Sequence, residues 1–272
     1  MNRLNALQSR LLPMFRWFHN YCAEQGLRYY VIGGTMLGAV RHKGFIPWDD
    51  DIDVGMPRPD YDRLCSLLAK QSDPPYLLET PGAADDFPYL YAKLYDPQTT
   101  MIEKKRMAVV RGVFLDIFPL DGLGKDEETA KAHYKKIKKK INLHTAMVCA
   151  LRKGRSFKKN LAVLIARMIP GFILSPRKLA KQIEFLQKTY DFDDSLYISN
   201  TAGAWGAKEN FPRSVFGTPA AYPFEDGTVL GPEQFDAYLS GLYGSYMTPP
   251  PPEKQVSHHD FSYLDLETPY KK

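Results

Sequence analysis

The chain has 272 residues, 44% of them hydrophobic and 25% charged, with a net charge of +5. That is enough to bury a full core as one elaborated domain or one domain with appendages, and it does not by itself choose a chemistry. Cys22, Cys65 and Cys149 cannot all pair, and their spacing excludes a zinc or disulfide framework, so reduced core thiols are expected.

Leu4 to Arg10 is too polar for the apolar stretch of a signal peptide, and a cytoplasmic protein is expected. From Leu4 to Gly26 the spacing of Leu7, Leu11, Met14, Phe15, Phe18 and Cys22 predicts a helix stopped by Gly26, with His19 as a structural residue. Tyr29 to Ile32 predicts a strand. Gly33 and Gly34 end it with a tight turn, and Thr35 opens a short helix, so free amides and a positive helix end are expected beside the glycines, where a phosphate oxygen can bind. Arg41 ends that helix and is a candidate phosphate partner; an exposed cation is the alternative.

In Asp51-Ile-Asp-Val-Gly-Met56 the apolar residues alternate with the polar ones, so a strand turns Asp51 and Asp53 to one side. Two carboxylates about 5 Å apart repel by roughly 3 kcal/mol at an effective dielectric near 20. A divalent cation reverses that sign, and oxygen ligands suit magnesium or manganese. Asp49, Asp51 and Asp53 also fit the first acidic positions of a calcium loop, but Val54 stands where the turn glycine belongs and Asp60 where glutamate is expected. A solvated acidic turn is the other alternative. After an amphipathic helix entered at Pro57 and running over Asp60 to Leu68, Tyr89 to Tyr95 alternates again and puts Tyr89, Tyr91 and Lys93 on one side, from which Lys93 can reach a phosphate.

Gly112-Val-Phe-Leu-Asp-Ile-Phe-Pro119 is so apolar that it predicts a buried central strand, and Asp116 inside it must be salt-bridged, protonated or metal-bound. Between positions 131 and 159 stand eleven lysines and arginines and no acid, so the rest of the chain is net acidic. Tyr134, Ile137, Ile141, Val148 and Leu151 keep helical spacing, which predicts a cationic amphipathic helix. An anionic membrane surface, a solvated face and nucleic acid compete for it. No nucleic acid is expected, because no recognisable binding module accompanies the charge and Tyr134 and Phe157 are its lone aromatics. Leu161 to Leu174 is apolar but short and interrupted by Arg167 and Pro170, so it does not span a membrane. Lys178 to Tyr190 predicts one more helix, and the tail from Asp191, rich in proline, glycine and aromatics, predicts loops laid over a folded body.

Gly33-Gly34, the Asp51-x-Asp53 pair and Asp116 on a later strand resemble a nucleotidyltransferase-superfamily site. The wording Gly-Gly-Thr-x-Leu-Gly, Gly-Phe-Ile-Pro-Trp-Asp-Asp-Asp-Ile-Asp and Phe-Leu-Asp-Ile-Phe-Pro-Leu-Asp-Gly is similar to the LicD family, and in motif to the fukutin-related proteins. The resemblance runs from about residue 25 to 123 and returns at Tyr243-Gly-Ser-Tyr-Met and His258-His259; Ser245 stands where the family commonly has an acid. It implies an α/β fold with a mixed sheet flanked by helices. A catalytic core over 1–125, a helical basic insert over 126–190 and a section over 191–272 that completes the site would share it. It further implies transfer of phosphocholine, or a comparable phospho-alcohol such as ribitol phosphate, from a CDP-linked donor to a cell-surface glycan such as teichoic acid or lipopolysaccharide. Asp51, Asp53 and Asp116 would hold Mg2+ or Mn2+. Gly33, Gly34, Thr35, Arg41, Lys93, His258 and His259 would face substrate or phosphate. Trp48, Trp205 and Tyr222 are candidate walls for a choline cation, with core packing as the alternative. An enzyme working on a lipid-carried acceptor would sit at the inner face of the membrane. Nucleotide transfer to a small molecule or protein, and a non-catalytic glycan or membrane-surface module, are the competing functions.

Overall fold

The computed structural model describes residues 3–104, 108–149, 156–171, 173–257 and 261–270. His258 and His259 fall outside that set. Helix α1 (Arg3–Gln25) buries the predicted face of Leu7, Leu11, Met14, Phe15, Phe18 and Cys22. Gly26, at φ +61°, stops it: its amide donates to Ala23 O and that of Leu27 to Cys22 O, a left-handed cap that satisfies the last carbonyls.

Strand β1 (Tyr30–Val31) leads into helix α2 (Gly33–His42), then β2 (Asp53–Pro57) and helix α3 (Arg58–Leu68). Next come β3 (Leu77–Glu79), β4 (Ala92–Tyr95), a hairpin of β5 (Thr100–Lys104) and β6 (Ala108–Arg111), and β7 (Phe114–Gly124). The main sheet runs β1-β2-β7-β4-β3, with β2 and β7 parallel and the other pairs antiparallel, so the fold is mixed α/β. All eleven residues of β7 are buried, as expected of a central strand covered on both faces. The strand is longer than its apolar run predicts, and its second half, Asp121 to Gly124, pairs with β8 (Tyr197–Ser199), which in turn pairs with β9 (Asn210–Pro212).

The basic region holds the expected cationic helix and the helix expected from Lys178, with a third helix between them; Leu151 of the predicted stripe lies outside the described residues. Helix α4 (Glu127–Val148), α5 (Phe157–Arg167) and α6 (Pro176–Gln187) pack through Ala130, Tyr134, Ile137, Ile141, Ala166 and Ile183. Asp126 caps α4, its carboxylate accepting from the Thr129 amide at 2.8 Å, and Lys135, Lys136 and Lys139 face solvent. No helix among the described residues is long and apolar enough to cross a membrane.

The C-terminal section is more regular than the expected loops. It holds helix α7 (Arg213–Phe216), the hairpin β10 (Ala220–Phe224) and β11 (Gly227–Gly231), helix α8 (Phe235–Tyr243), and β12 (Phe261–Asp265), which pairs with β5. These elements are mostly short and punctuated by proline and glycine, too brief for a period to stand out in the sequence. Among the cysteines, Cys22 is buried in α1, while Cys65 in α3 and Cys149 at the end of α4 are half-buried; none is disulfide-bonded.

Candidate active site

The parallel pairing of β2 with β7 puts Asp53 directly opposite Asp116, and the antiparallel pairing of β4 with β7 puts Lys93 opposite Asp116 on the other side. Asp53, Asp116 and Lys93 thus form one row across three strands. Lys93 is fully buried, with Nζ 2.8 Å from Asp116 Oδ1 and 3.8 Å from Glu103 Oε2. Its ammonium lies 3.1 Å from the centre of the Phe114 ring and 4.4 Å from that of Tyr89. Tyr89 donates its hydroxyl to Glu103 at 2.5 Å. The alternating run from Tyr89 is strand only from Ala92 on, and both of its faces are buried, so Lys93 meets carboxylates inside the protein rather than an open surface.

Strand β2 begins at Asp53, so Asp51 lies in the approach to the strand and not, as alternation suggests, within it. The Asp53 amide donates to Thr35 Oγ1 at 2.9 Å, and the Ile32 amide to Asp53 O, which locks β2 to the start of α2. Here the glycine pair has a second use. A Cβ on Gly34 would fall 2.5 Å from Asp49 Oδ2, and one on Gly33, which has φ +56°, would fall 3.3 Å from Asp53 Oδ2. The glycines let two carboxylates close on the beginning of α2, where the helix dipole favours negative charge. The Gly33 amide donates to the buried Tyr238 hydroxyl at 2.9 Å, while Gly34 remains at the cavity wall.

That cavity, of about 800 Å³, is lined by Asp49, Asp51, Asp53 and Asp116 on its acidic side. Leu37, Ile46, Trp48, Phe118, Trp205 and Tyr243 supply apolar and aromatic wall, and Arg41 and Lys254 supply positive charge. Trp205 and Tyr243 meet edge to face with ring centres 4.8 Å apart. Arg41, at the end of α2, is held by an Nη1 bond of 2.8 Å to Tyr246 O. Of the three aromatics considered for a choline wall, Trp48 and Trp205 line the cavity, and Tyr222 does not: it packs on Phe235 and donates to Pro232 O. Ser245, at the position where the family commonly carries an acid, also lines it.

Burial, then the charges of Asp51, Asp116 and Asp49, push the Asp53 carboxyl well above the usual carboxylate range, with Lys93 opposing them. Oxygens of Asp49, Asp50 and Asp51 lie within 4.8 Å of one another, although Asp50 is buried and accepts from Ser257 Oγ at 2.5 Å. A buried carboxylate crowded by three more, all on one cavity, is the donor set a hard divalent cation requires, so these aspartates could bind a metal. In the sequence Asp49 fits only the calcium-loop spacing, and its place on the cavity comes from the turn that brings it to Gly34. Tyr243 stands out in the sequence only through the family resemblance, and Lys254 carries no local signal.

The nucleotidyltransferase domain described as LicD/FKTN/FKRP matches residues 26–156. Over 267 residues, 95% of this chain and 97% of the relative, the chain is 30% identical to the lipopolysaccharide cholinephosphotransferase LicD of Haemophilus influenzae. A shorter stretch of 31 residues, 11% of this chain and 6% of the relative, is 55% identical to the ribitol 5-phosphate transferase FKRP of Mus musculus. The domain match and the similarity over nearly the whole chain identify a LicD-type transferase. The chain belongs to the LicD family.

Proposed function

We propose that the protein transfers phosphocholine, or a comparable phospho-alcohol, from a CDP-linked donor to a cell-surface glycan or glycolipid precursor and releases CMP. The observation that carries this reading is Asp53 in register with Asp116 at the floor of a cavity that Asp49 and Asp51 also line. The full-length similarity to a protein named a lipopolysaccharide cholinephosphotransferase supports the cargo and acceptor class.

In this reading Asp51, Asp53 and Asp116 hold Mg2+ or Mn2+, which when bound neutralises the donor diphosphate and draws electron density from the transferring phosphorus. Asp49 adds a fourth carboxylate beside them. Arg41, the residual amides at Gly34 and Thr35, and Lys254 receive phosphate oxygens as the donor settles. Lys93 is assigned to Asp116 rather than to phosphate, since its ammonium is already spent between Asp116 and Glu103. Asp116, paired with Lys93, is also assigned to draw the proton from the acceptor hydroxyl. Trp48 and Trp205 face a cationic alcohol. The catalytic core, 1–125, and the closing section, 191–272, build this site between them, and the basic segment 131–159 brings the enzyme to an anionic inner membrane surface where a lipid-carried acceptor resides.

The test is CMP release from CDP-choline, CDP-ribitol, CDP-glycerol and CDP-ethanolamine with magnesium present, using Asp51→Asn as the blank. Release from one donor, abolished by the substitution and by chelation, is expected. Normal turnover by Asp51→Asn would sink the site assignment, and label from the nucleotide base appearing on the acceptor would move the reaction to nucleotidyl transfer.

A further inference from the structure

Among the described residues the three-helix insert contributes none to the cavity lining, yet it carries the least ordinary surface of the described chain. In α5 the residues turned inward are Val163 and Ala166, both buried. Those turned outward are Leu161, Leu164 and Ile165, with Met168 at the C-cap just past the helix; they are 42, 46, 57 and 81% exposed. Their spacing of three, four and seven residues makes one continuous face, so the outward stripe of this helix is apolar, the reverse of an ordinary surface helix. Ile173, just beyond it, is 61% exposed. On the neighbouring α6, Phe185 is 78% exposed and shares a shallow concavity of about 380 Å³ with Lys140 and Lys181. Single exposed apolar residues are common and need no cause; a row of four on one helix face calls for something that covers it.

Charge identifies the cover. The segment 131–159 holds eleven basic residues and no acid, although the chain as a whole is only +5. On α4, which packs against α5, Lys135, Lys136 and Lys139 point to solvent. An exposed apolar stripe on one helix and exposed lysines on the helix it packs against match the boundary between acyl chains and anionic headgroups. Two copies meeting through this face would bring two such basic segments together, which disfavours self-association. At eleven residues α5 is far too short to cross a bilayer.

We propose that α5 lies in the plane of an anionic membrane surface, with Leu161, Leu164, Ile165 and Met168 inserted below the headgroups and the lysines of α4 resting on them. This extends the surface contact proposed above from charge to insertion, and its test separates the two. Full-length protein is mixed with vesicles of phosphatidylcholine alone or of phosphatidylcholine with phosphatidylglycerol, and binding is read by flotation at low and high salt. The neutral triple variant Leu164→Gln, Ile165→Gln, Met168→Gln, which leaves the buried face of α5 untouched, should bind the anionic vesicles about tenfold or more weakly than wild type and keep its unfolding temperature. Wild-type binding that survives in the triple variant and vanishes with salt would leave the charge reading standing and overturn insertion. No binding of wild type to either vesicle would overturn both. If the triple variant changes the mass of the protein in solution and not its vesicle affinity, a protein partner is the cover instead. As a measurement that needs no loss of function, Leu164→Trp should blue-shift its emission on adding anionic vesicles, and an unchanged spectrum would equally overturn insertion.

Discussion

Lys93 on β4 and Asp116 on β7 face each other in register and close to 2.8 Å, both almost completely buried. The pair answers the question an acid in a wholly apolar strand raises: one of its oxygens is neutralised from within the sheet, and the cavity side is left to Asp53, Asp51 and Asp49. It also makes Lys93 structural as much as functional. Lys93→Met should lower stability by about 3–5 kcal/mol, because it removes the positive charge that pairs buried Asp116 and Glu103. Adding Asp116→Asn should recover part of that loss, with a coupling of about 1–3 kcal/mol in a double-mutant cycle read by urea unfolding. Strict additivity would mean the two side chains do not act as a pair.

Gly34 separates packing from catalysis. Alanine is the better helix former by about 1 kcal/mol, and the atom it would meet, Asp49 Oδ2, is the end of a mobile side chain. Gly34→Ala should therefore unfold no earlier than wild type in a thermal scan while its turnover drops at least about tenfold, since Asp49 is pushed from its place. A fully active variant would show that Asp49 has no part in the chemistry.

Trp205 stands at the mouth of the cavity against Tyr243. If it faces the cation of the donor, Trp205→Ala should raise KM for CDP-choline by roughly 2- to 30-fold, as expected for about 0.5–2 kcal/mol of cation–π attraction, and leave CDP-ribitol nearly unchanged. Equal losses with both donors would point to a packing role in closing the cavity.

The loop that carries Trp205 is pinned by Glu209, a buried acid whose carboxylate accepts from the Trp205 amide at 3.4 Å. Burial raises its pKa from 4.5 to about 7, against the Trp205 bond and the charge of Lys138. A carboxyl with a raised folded pKa binds more protons folded than unfolded, so its contribution to stability is greatest below pH 4.5 and falls as pH rises towards 7. The loss is at most about 3 kcal/mol. Relative to Glu209→Gln, wild type should lose stability across that window and run parallel to the variant above it. Urea midpoints at pH 5, 6, 7 and 8 check this, and a constant gap at all four would refute it.

Periodicity and the cost of buried charge were enough, from the sequence, to find α1 and its glycine stop, the central strand around Asp116, and the acids beside the glycine pair. These features are local: a helix repeats every few residues, a strand alternates, and an ionised group inside an apolar run must have a partner wherever the run is placed. What the partner is depends on which strands become neighbours, and that is settled by the whole sheet. The salt bridge of Asp116 to Lys93, the taking of the Gly33 amide by Tyr238 from 205 residues away, and the departure of Tyr222 from the cavity all follow from tertiary placement. So does the closing of the site by Trp205, Tyr243 and Lys254. In α5 the sequence supplied an apolar run too short for a span, but the direction of its stripe was open until the packing of Val163 and Ala166 turned one face inward and left the other to the outside.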